Sequence, residues 1–196
     1  MSQAVFYYDV SSPYAYLAAV RVDGLIPNAE WRPIAFGVLL RETGRVPWSL
    51  NPDTRPAGVA EVEQRAAQRG LPPVAWPPGW PADSYSLTPL RALHYAQSIE
   101  KLKELTAALY EKMFVEGIAL DELAAVLDAA NTAGIDPAEL QAGIEGEQAR
   151  GALREATAEA IARGVVGVPT VAVGDELFWG DDRLEDAASS ASRSNL

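Results

Sequence analysis

Residues 4–20 read AVFYYDVSSPYAYLAAV, and this stretch decides the fold. Val5 to Asp9 is a short apolar run with the character of a buried strand. It breaks at Ser11-Ser12-Pro13. From Pro13 the spacing of Tyr14, Leu17 and Ala18, with Val20 to Leu25, predicts an amphipathic helix ending near Pro27. Two roles fit Ser12. As an N-cap it accepts a backbone N–H, while Pro13 takes the first helical position, where a missing donor costs nothing. Alternatively, its hydroxyl serves a ligand, because it stands at the carboxyl end of a strand and the positive end of a helix. An anion is favoured there by about 0.3–1 kcal/mol, and a thiolate could receive the hydroxyl's hydrogen bond.

Outward from this turn, EWRPIAFGVL (30–39) reads as a second strand, with Pro33 marking an edge or a bulge. Residues 41–58 lack a period and read as a loop. GVAEVEQRAAQRG (58–70) predicts a short helix closed by Gly70, and the proline-rich stretch 71–89 an irregular connection. A long helix follows, capped by Thr88, opened by Pro89 and running to about Gly117. LDELAAVLDAANTAG is helical, Asp136-Pro137 starts another helix, and GEQARGALREATAEAIARG closes the helical block. The period then returns to two. GVPTVAVGDELFWG predicts a hairpin turning at Gly174-Asp175, followed by an alanine-rich helix from Asp181-Asp182 and a frayed tail from Ser189.

The order is therefore β-α-β, a helical block, then β-β-α, which is the order of a thioredoxin-like α/β fold interrupted by a large all-helical insertion. The expected division assigns 1–58 and 164–196 to the thioredoxin-like domain and 59–163 to the inserted helical domain.

Composition narrows the chemistry. The 196 residues hold 48% hydrophobic and 22% charged side chains, ordinary for a globular chain. No apolar run approaches the roughly 20 residues of a membrane span, and no basic segment leads into an apolar one at the N-terminus. The expected location is the cytoplasm, with no membrane partner. A net charge of −11 argues against nucleic acid. It is compatible with a small anion in a locally basic pocket. Absence of cysteine excludes disulfides, thiolate metal sites and cysteine nucleophiles. With one histidine, a multi-histidine metal site is excluded, and serine-histidine catalysis would have to use His94. His94 lies mid-helix beside apolar residues and reads as a packed histidine.

Three further features admit a structural and a functional reading. Val168-Pro169-Thr170 opens a strand; were its peptide bond cis, the backbone of Val168 could pair with a peptide-like ligand as an added strand does. Asp181 and Asp182 suit the first turn of a helix, or one of them receives a ligand ammonium while Arg183 takes a carboxylate. Trp76, Trp80 and Tyr85 pack under a proline-rich loop of the kind that covers pockets.

Taken together, FYYDVSSPYAYLA, GVPTVAVGDELFWGDDRLE and the helical stretch between them resemble the glutathione-dependent 2-hydroxychromene-2-carboxylate isomerases and their kappa-class glutathione transferase relatives. The resemblance spans almost the whole chain in layout and is specific at both ends. Redox members of this branch carry Cys-Pro-x-Cys at the turn, where this chain has Ser12-Pro13-Tyr14-Ala15. Dithiol exchange is thereby excluded, and the resemblance implies a borrowed thiol, that of glutathione or another low-molecular-weight thiol. By position, Ser12 matches the serine that hydrogen-bonds the glutathione sulfur. Val168, before Pro169, matches the residue whose backbone pairs with the cysteinyl part, and Asp181 and Asp182 fall where the γ-glutamyl end is held. Two adjacent acids depart from the family, which often has Ser, Asn or Gln at the first position. Arg45 stands roughly where the family has an asparagine and could serve a carboxylate instead. Tyr8, Trp48 and Trp179 are candidates for the apolar wall of a substrate site.

The implied activity is a glutathione-dependent cis-trans isomerisation of an aromatic degradation intermediate. Alternatives are a kappa-type transferase and a non-catalytic thioredoxin-like binding protein. The resemblance also makes a homodimer the assembly to expect.

Overall fold

The computed structural model describes residues 3–82 and 86–194. Tyr85, expected in the aromatic cluster, lies outside them. Four strands form one sheet in the order β2-β1-β3-β4: β1 (Val5–Tyr8), β2 (Glu30–Pro33), β3 (Thr170–Val173) and β4 (Glu176–Trp179). β1 and β2 are parallel, with Val5 opposite Glu30. β3 runs antiparallel to both β1 and β4. The two ends of the chain thus share a sheet, as the order of elements predicts for a thioredoxin-like α/β fold. All of β1 is buried, which is why it reads as a continuous apolar run. Its alternation sends Phe6 and Tyr8 into a core with Leu17 and Trp31, and Val5 and Tyr7 into another with Leu39, Ala156 and Ala160.

α1 (Pro13–Leu25) begins at the Ser12 cap as expected. The reading of 30–39 as one strand is corrected: the strand stops at Pro33, and α2 (Phe36–Thr43) follows. A short apolar run fits either period, and two distant side chains tip it here. Asp9 Oδ2 accepts the Phe36 N–H at 2.9 Å, and Thr157 Oγ1 accepts that of Ala35 at 3.0 Å, satisfying the exposed donors of a helix start.

The loop expected over 41–58 is likewise shorter. It contains the end of α2, a 3₁₀ turn at Trp48–Leu50 and the start of α3 (Arg55–Gln68). The helix expected over 88–117 is two helices and starts earlier. α4 (Leu87–Ser98) begins after Ser86, and α5 (Leu102–Tyr110) runs into a π turn at Glu111–Val115. Glu100, at φ 58°, closes α4, and the Lys101 N–H returns to the Ala96 carbonyl at 2.8 Å.

α6 (Leu123–Thr132) and α7 (Pro137–Glu145) complete the helical group around α4. Asp136 Oδ1 caps α7 by accepting from Ala138 and Glu139. α8 (Glu147–Ala162) lies within the 59–163 stretch and touches both parts of the molecule, packing on α4 and also on α2 and β2. The final helix starts one turn later than expected. Asp181–Arg183 is a 3₁₀ turn, and α9 (Leu184–Ser194) follows. The tail from Ser189 is not frayed: α9 continues to Ser194, with Ala187 and Ser190 buried. Among the described residues no helix is long and apolar enough to cross a membrane.

Candidate active site

The site begins at the carboxyl end of β1. The Ser12 N–H bonds the Asp9 carbonyl at 3.1 Å, and Ser12 Oγ accepts the Ala15 N–H at 3.2 Å. The serine is therefore an N-cap. A hydroxyl holds one donor besides its lone pairs, and among the described residues Ser12 Oγ donates to none. Capping and serving a ligand therefore use different parts of the same group. Ser12 opens onto a cavity of about 740 Å³.

In the lining of the same cavity, the Val168–Pro169 peptide bond is cis. The main chain of Val168 bonds no other described residue. The Pro169 carbonyl accepts the Gly180 N–H at 2.9 Å, which joins this turn to the segment carrying Asp181 and Asp182.

The wall is aromatic and the rim is charged. Trp48 meets Tyr14 edge-on at 5.9 Å between ring centroids and lies 5.8 Å from Trp80. Trp179 is half exposed and carries the Arg45 guanidinium 4.4 Å from its ring. Arg41 and Arg45 line the cavity and form no ion pair with any described residue. Glu61, Arg65 and Asp182 also line it, and Arg65 pairs with both acids, lying 3.8 Å from Asp182. The Tyr14 hydroxyl donates to Glu61 at 2.9 Å; burial and that carboxylate push its pKa above the ordinary phenol range.

Of the residues singled out in the sequence, Ser12, Val168, Pro169, Asp181, Asp182, Arg45, Trp48 and Trp179 line this one cavity. Tyr8 does not. It is fully buried on the core face of β1, its hydroxyl 2.8 Å from Thr106 Oγ1, because its place in the strand's alternation points it inward. Arg183 is also absent from the lining. It turns away to Asp186, in the first turn of α9, at 2.6 Å. Asp181 lines the cavity but is 1% exposed and held by Arg65 at 2.5 Å and by Arg69. Its charge is already balanced. His94 lies away from the cavity, with Nε2 3.0 Å from the Pro33 carbonyl oxygen, and burial lowers its pKa.

Sequence reasoning missed Asp9, Glu61, Arg65 and Ser86. Asp9 Oδ1 accepts the N–H and hydroxyl of Ser11, both at 2.9 Å, and Oδ2 accepts Phe36 N–H and the Ser86 hydroxyl at 3.0 Å. Its only signal was a carboxylate ending an apolar run. Glu61 and Arg65 had none, since they reach the site from a helix expected to belong to the inserted domain, and Ser86 had none because it lies in the proline-rich stretch read as an irregular connection.

The fold and turn define a member of the thioredoxin superfamily without its cysteines. The pattern of the DSBA-like thioredoxin domain matches residues 3–191, and the chain belongs to that family. It is similar to a 2-hydroxychromene-2-carboxylate isomerase of Sphingobium xenophagum, 27% identical over 190 residues that cover 92% of this chain and 93% of the relative. Among solved structures it is similar to a 2-hydroxychromene-2-carboxylate isomerase, with TM-score 0.85, 23% identity, and coverage of 98% and 95% of the two chains. It is also similar to a probable DsbA oxidoreductase from Streptomyces coelicolor, with TM-score 0.77, 18% identity, and coverage of 99% and 90%.

Proposed function

We propose that the protein is an isomerase of an aromatic degradation intermediate of the 2-hydroxychromene-2-carboxylate kind, with glutathione or a related small thiol as its cofactor. The observation that carries this reading is Ser12, whose cap bond leaves its hydroxyl hydrogen free at the positive end of α1 and at the edge of the cavity. The residues present fit such a thiol. The cavity falls within the roughly 300–1,000 Å³ of small-ligand sites. Val168 offers a main chain that bonds no described residue to a peptide-like ligand, and Arg41 and Arg45 offer cations. Asp182, 60% exposed along its side chain and only 3.8 Å from Arg65, offers an anion to an ammonium, whereas Glu61 is already held by Arg65 and Tyr14. Asp181 is not assigned that ammonium, because Arg65 and Arg69 already hold it.

When bound, the thiol supplies a nucleophile that adds reversibly to a conjugated double bond and frees it to rotate. Ser12 and the helix end favour the thiolate over the thiol. Trp48 and Trp179 exclude water and bed the substrate's ring, and Arg45, held over Trp179, takes a substrate carboxylate. Because glutathione is kept reduced in the cytoplasm, that is the location this chemistry requires.

Two measurements test the reading. Reduced glutathione is expected to give heat on titration, and turnover of 2-hydroxychromene-2-carboxylate is expected to require it, with no conjugate released. Absence of heat and of any thermal shift with glutathione or other cellular thiols would remove the cofactor. Accumulation of a glutathione conjugate would make the protein a transferase.

A further inference from the structure

Asp9 takes no part in the chemistry above, yet its surroundings suit a proton acceptor. It is fully buried at the end of β1 and forms no ion pair with a described residue. Its main-chain oxygen accepts from Ser12 N–H at 3.1 Å and from the Tyr110 hydroxyl at 3.3 Å, which fixes it directly beneath the Ser12 turn. Two of its four side-chain donors are the hydroxyls of Ser11 and Ser86, and both serines line the cavity that Ser12 enters. Main-chain donors alone would serve a structural brace. A hydroxyl that donates inward keeps lone pairs for the cavity side, and can take one proton as it passes its own on.

We infer that Asp9, reached through the hydroxyl of Ser86 or Ser11, takes up the proton that a small thiol loses when it ionises against Ser12. The inference rests on the thiol-dependent reading above. Ser86 Oγ receives the proton as the S–H bond breaks and passes its own across 3.0 Å to Asp9 Oδ2; Ser11 offers the equivalent path across 2.9 Å to Oδ1. The products are a thiolate and a carboxylic acid, so the net charge of the site is unchanged. One negative charge has moved from the buried interior to a helix end, where it is better stabilised.

The surroundings favour this direction. Burial raises the proton affinity of Asp9, opposed by the hydrogen bonds from Ser11, Phe36 and Ser86. Among the described residues the titratable neighbours that face it are Tyr8 and Tyr110, and burial raises the pKa of both, so they stay neutral. Addition and elimination regenerate the thiolate, so Asp9 holds its proton through successive turnovers and returns it when the thiol leaves.

The test is an infrared difference spectrum of the whole protein with and without reduced glutathione, recorded beside the ultraviolet absorbance of the thiolate. A thiolate band is expected together with a new protonated-carboxyl band, and less than about half a proton is released to weakly buffered solution per thiolate formed. S-methylglutathione should produce neither band. Asp9→Asn should lose the carboxyl band. Because that variant also alters the hydrogen bonds that hold the buried carboxylate, Ser11→Ala/Ser86→Ala is measured as well; it leaves Asp9 its main-chain donors and should slow thiolate appearance by roughly 100- to 10,000-fold. A thiolate formed with full proton release and no carboxyl band overturns the inference and leaves the thiol reading standing. Neither binding nor thiolate overturns both. A carboxyl band that survives in folded Asp9→Asn, or an unslowed double variant, also overturns it.

Discussion

Arg65 reaches from α3 to set Nη1 2.5 Å from Asp181 Oδ1, across 116 residues of sequence. Arg69, one turn further along the same helix, closes on the other oxygen. The pair of arginines ties α3 to the short turn between β4 and α9. A carboxylate this buried is costly unless it is paired. Asp181 therefore belongs to the frame of the cavity, while Asp182, 60% exposed along its side chain, is only loosely paired, 3.8 Å from Arg65.

Removing both arginines while leaving Asp181 is expected to cost about 3–5 kcal/mol, because the buried charge is then uncompensated. Arg65→Met/Arg69→Met should show this in urea unfolding. Adding Asp181→Leu should recover much of the loss, since an apolar replacement of a whole buried ion cluster is often near neutral. A double variant no less stable than an ordinary surface substitution would mean that water reaches Asp181.

Gly58 in α3 has a second relationship to the cavity. A Cβ built there would lie 2.1 Å from Cε3 of Trp48, so the indole occupies the space a side chain would need. In an exposed helix, Gly→Ala stabilises by about 1 kcal/mol. Gly58→Ala is expected to forgo that gain and to push Trp48 off the cavity wall. The change should appear as altered tryptophan emission and a several-fold higher KM for an apolar substrate, with kcat less affected. A stabilised variant with unchanged KM would show that Trp48 can shift without consequence.

How much of this was legible in the sequence depends on where each element's partners lie. The Ser12 cap, the Asp136-Pro137 start and the turn at Gly174, with φ 57°, are local, and each was readable. α2 was not readable, because the donors at its start are satisfied from residues 27 and 122 positions away. The break at Glu100 was hidden for another reason. A glutamate takes the left-handed conformation that glycine usually marks, and the apolar period continues across it. In the site, the ends of the chain were legible because they carry the turn and the hairpin. Glu61, Arg65 and Ser86 were not, since only the folded chain brings α3 and the start of α4 to the same cavity. Tyr8 failed as a wall residue for a simple reason: a strand buried on both faces gives no sign of which side faces a ligand.

Ser12 supports two separable effects. As a cap it accepts from Ala15, and as a donor it is available to a ligand. Ser12→Ala should lose both, about 1 kcal/mol of stability and a charge-assisted bond of about 1.5–3 kcal/mol, which is roughly 10- to 150-fold in the thiolate-dependent step. Ser12→Gly keeps most of the capping preference and has no donor. It should remain within a few tenths of a kcal/mol of the parent in stability, yet raise the bound thiol's pKa as much as alanine does. Ser12→Asp should keep the cap and repel the thiolate. If all three variants leave the thiol's titration unmoved, Ser12 is a cap alone.

His94 sets a pH dependence whose sign follows from its surroundings. It is buried, its Nε2 meets the Pro33 carbonyl, and burial lowers its pKa, with Arg32 adding to the effect and the carbonyl opposing it. The unfolded chain binds the proton at about pH 6.5, the ordinary value, while the folded chain resists it to lower pH. Between those two values the unfolded state carries more protons. Stability from this residue is therefore fully present above about pH 7.5, declines as the pH falls through 6.5, and levels off below the folded pKa. The raised carboxyl of Asp9 contributes the opposite slope, so the wild-type curve mixes the two. His94→Gln separates them, because glutamine can still donate to Pro33 but does not titrate. The difference in urea midpoint, wild type minus His94→Gln, is expected to be flat from pH 7.5 to 8 and to fall toward about pH 5. A difference that rises on acidification would mean that His94 is protonated more readily in the folded protein, and that the Pro33 carbonyl outweighs burial.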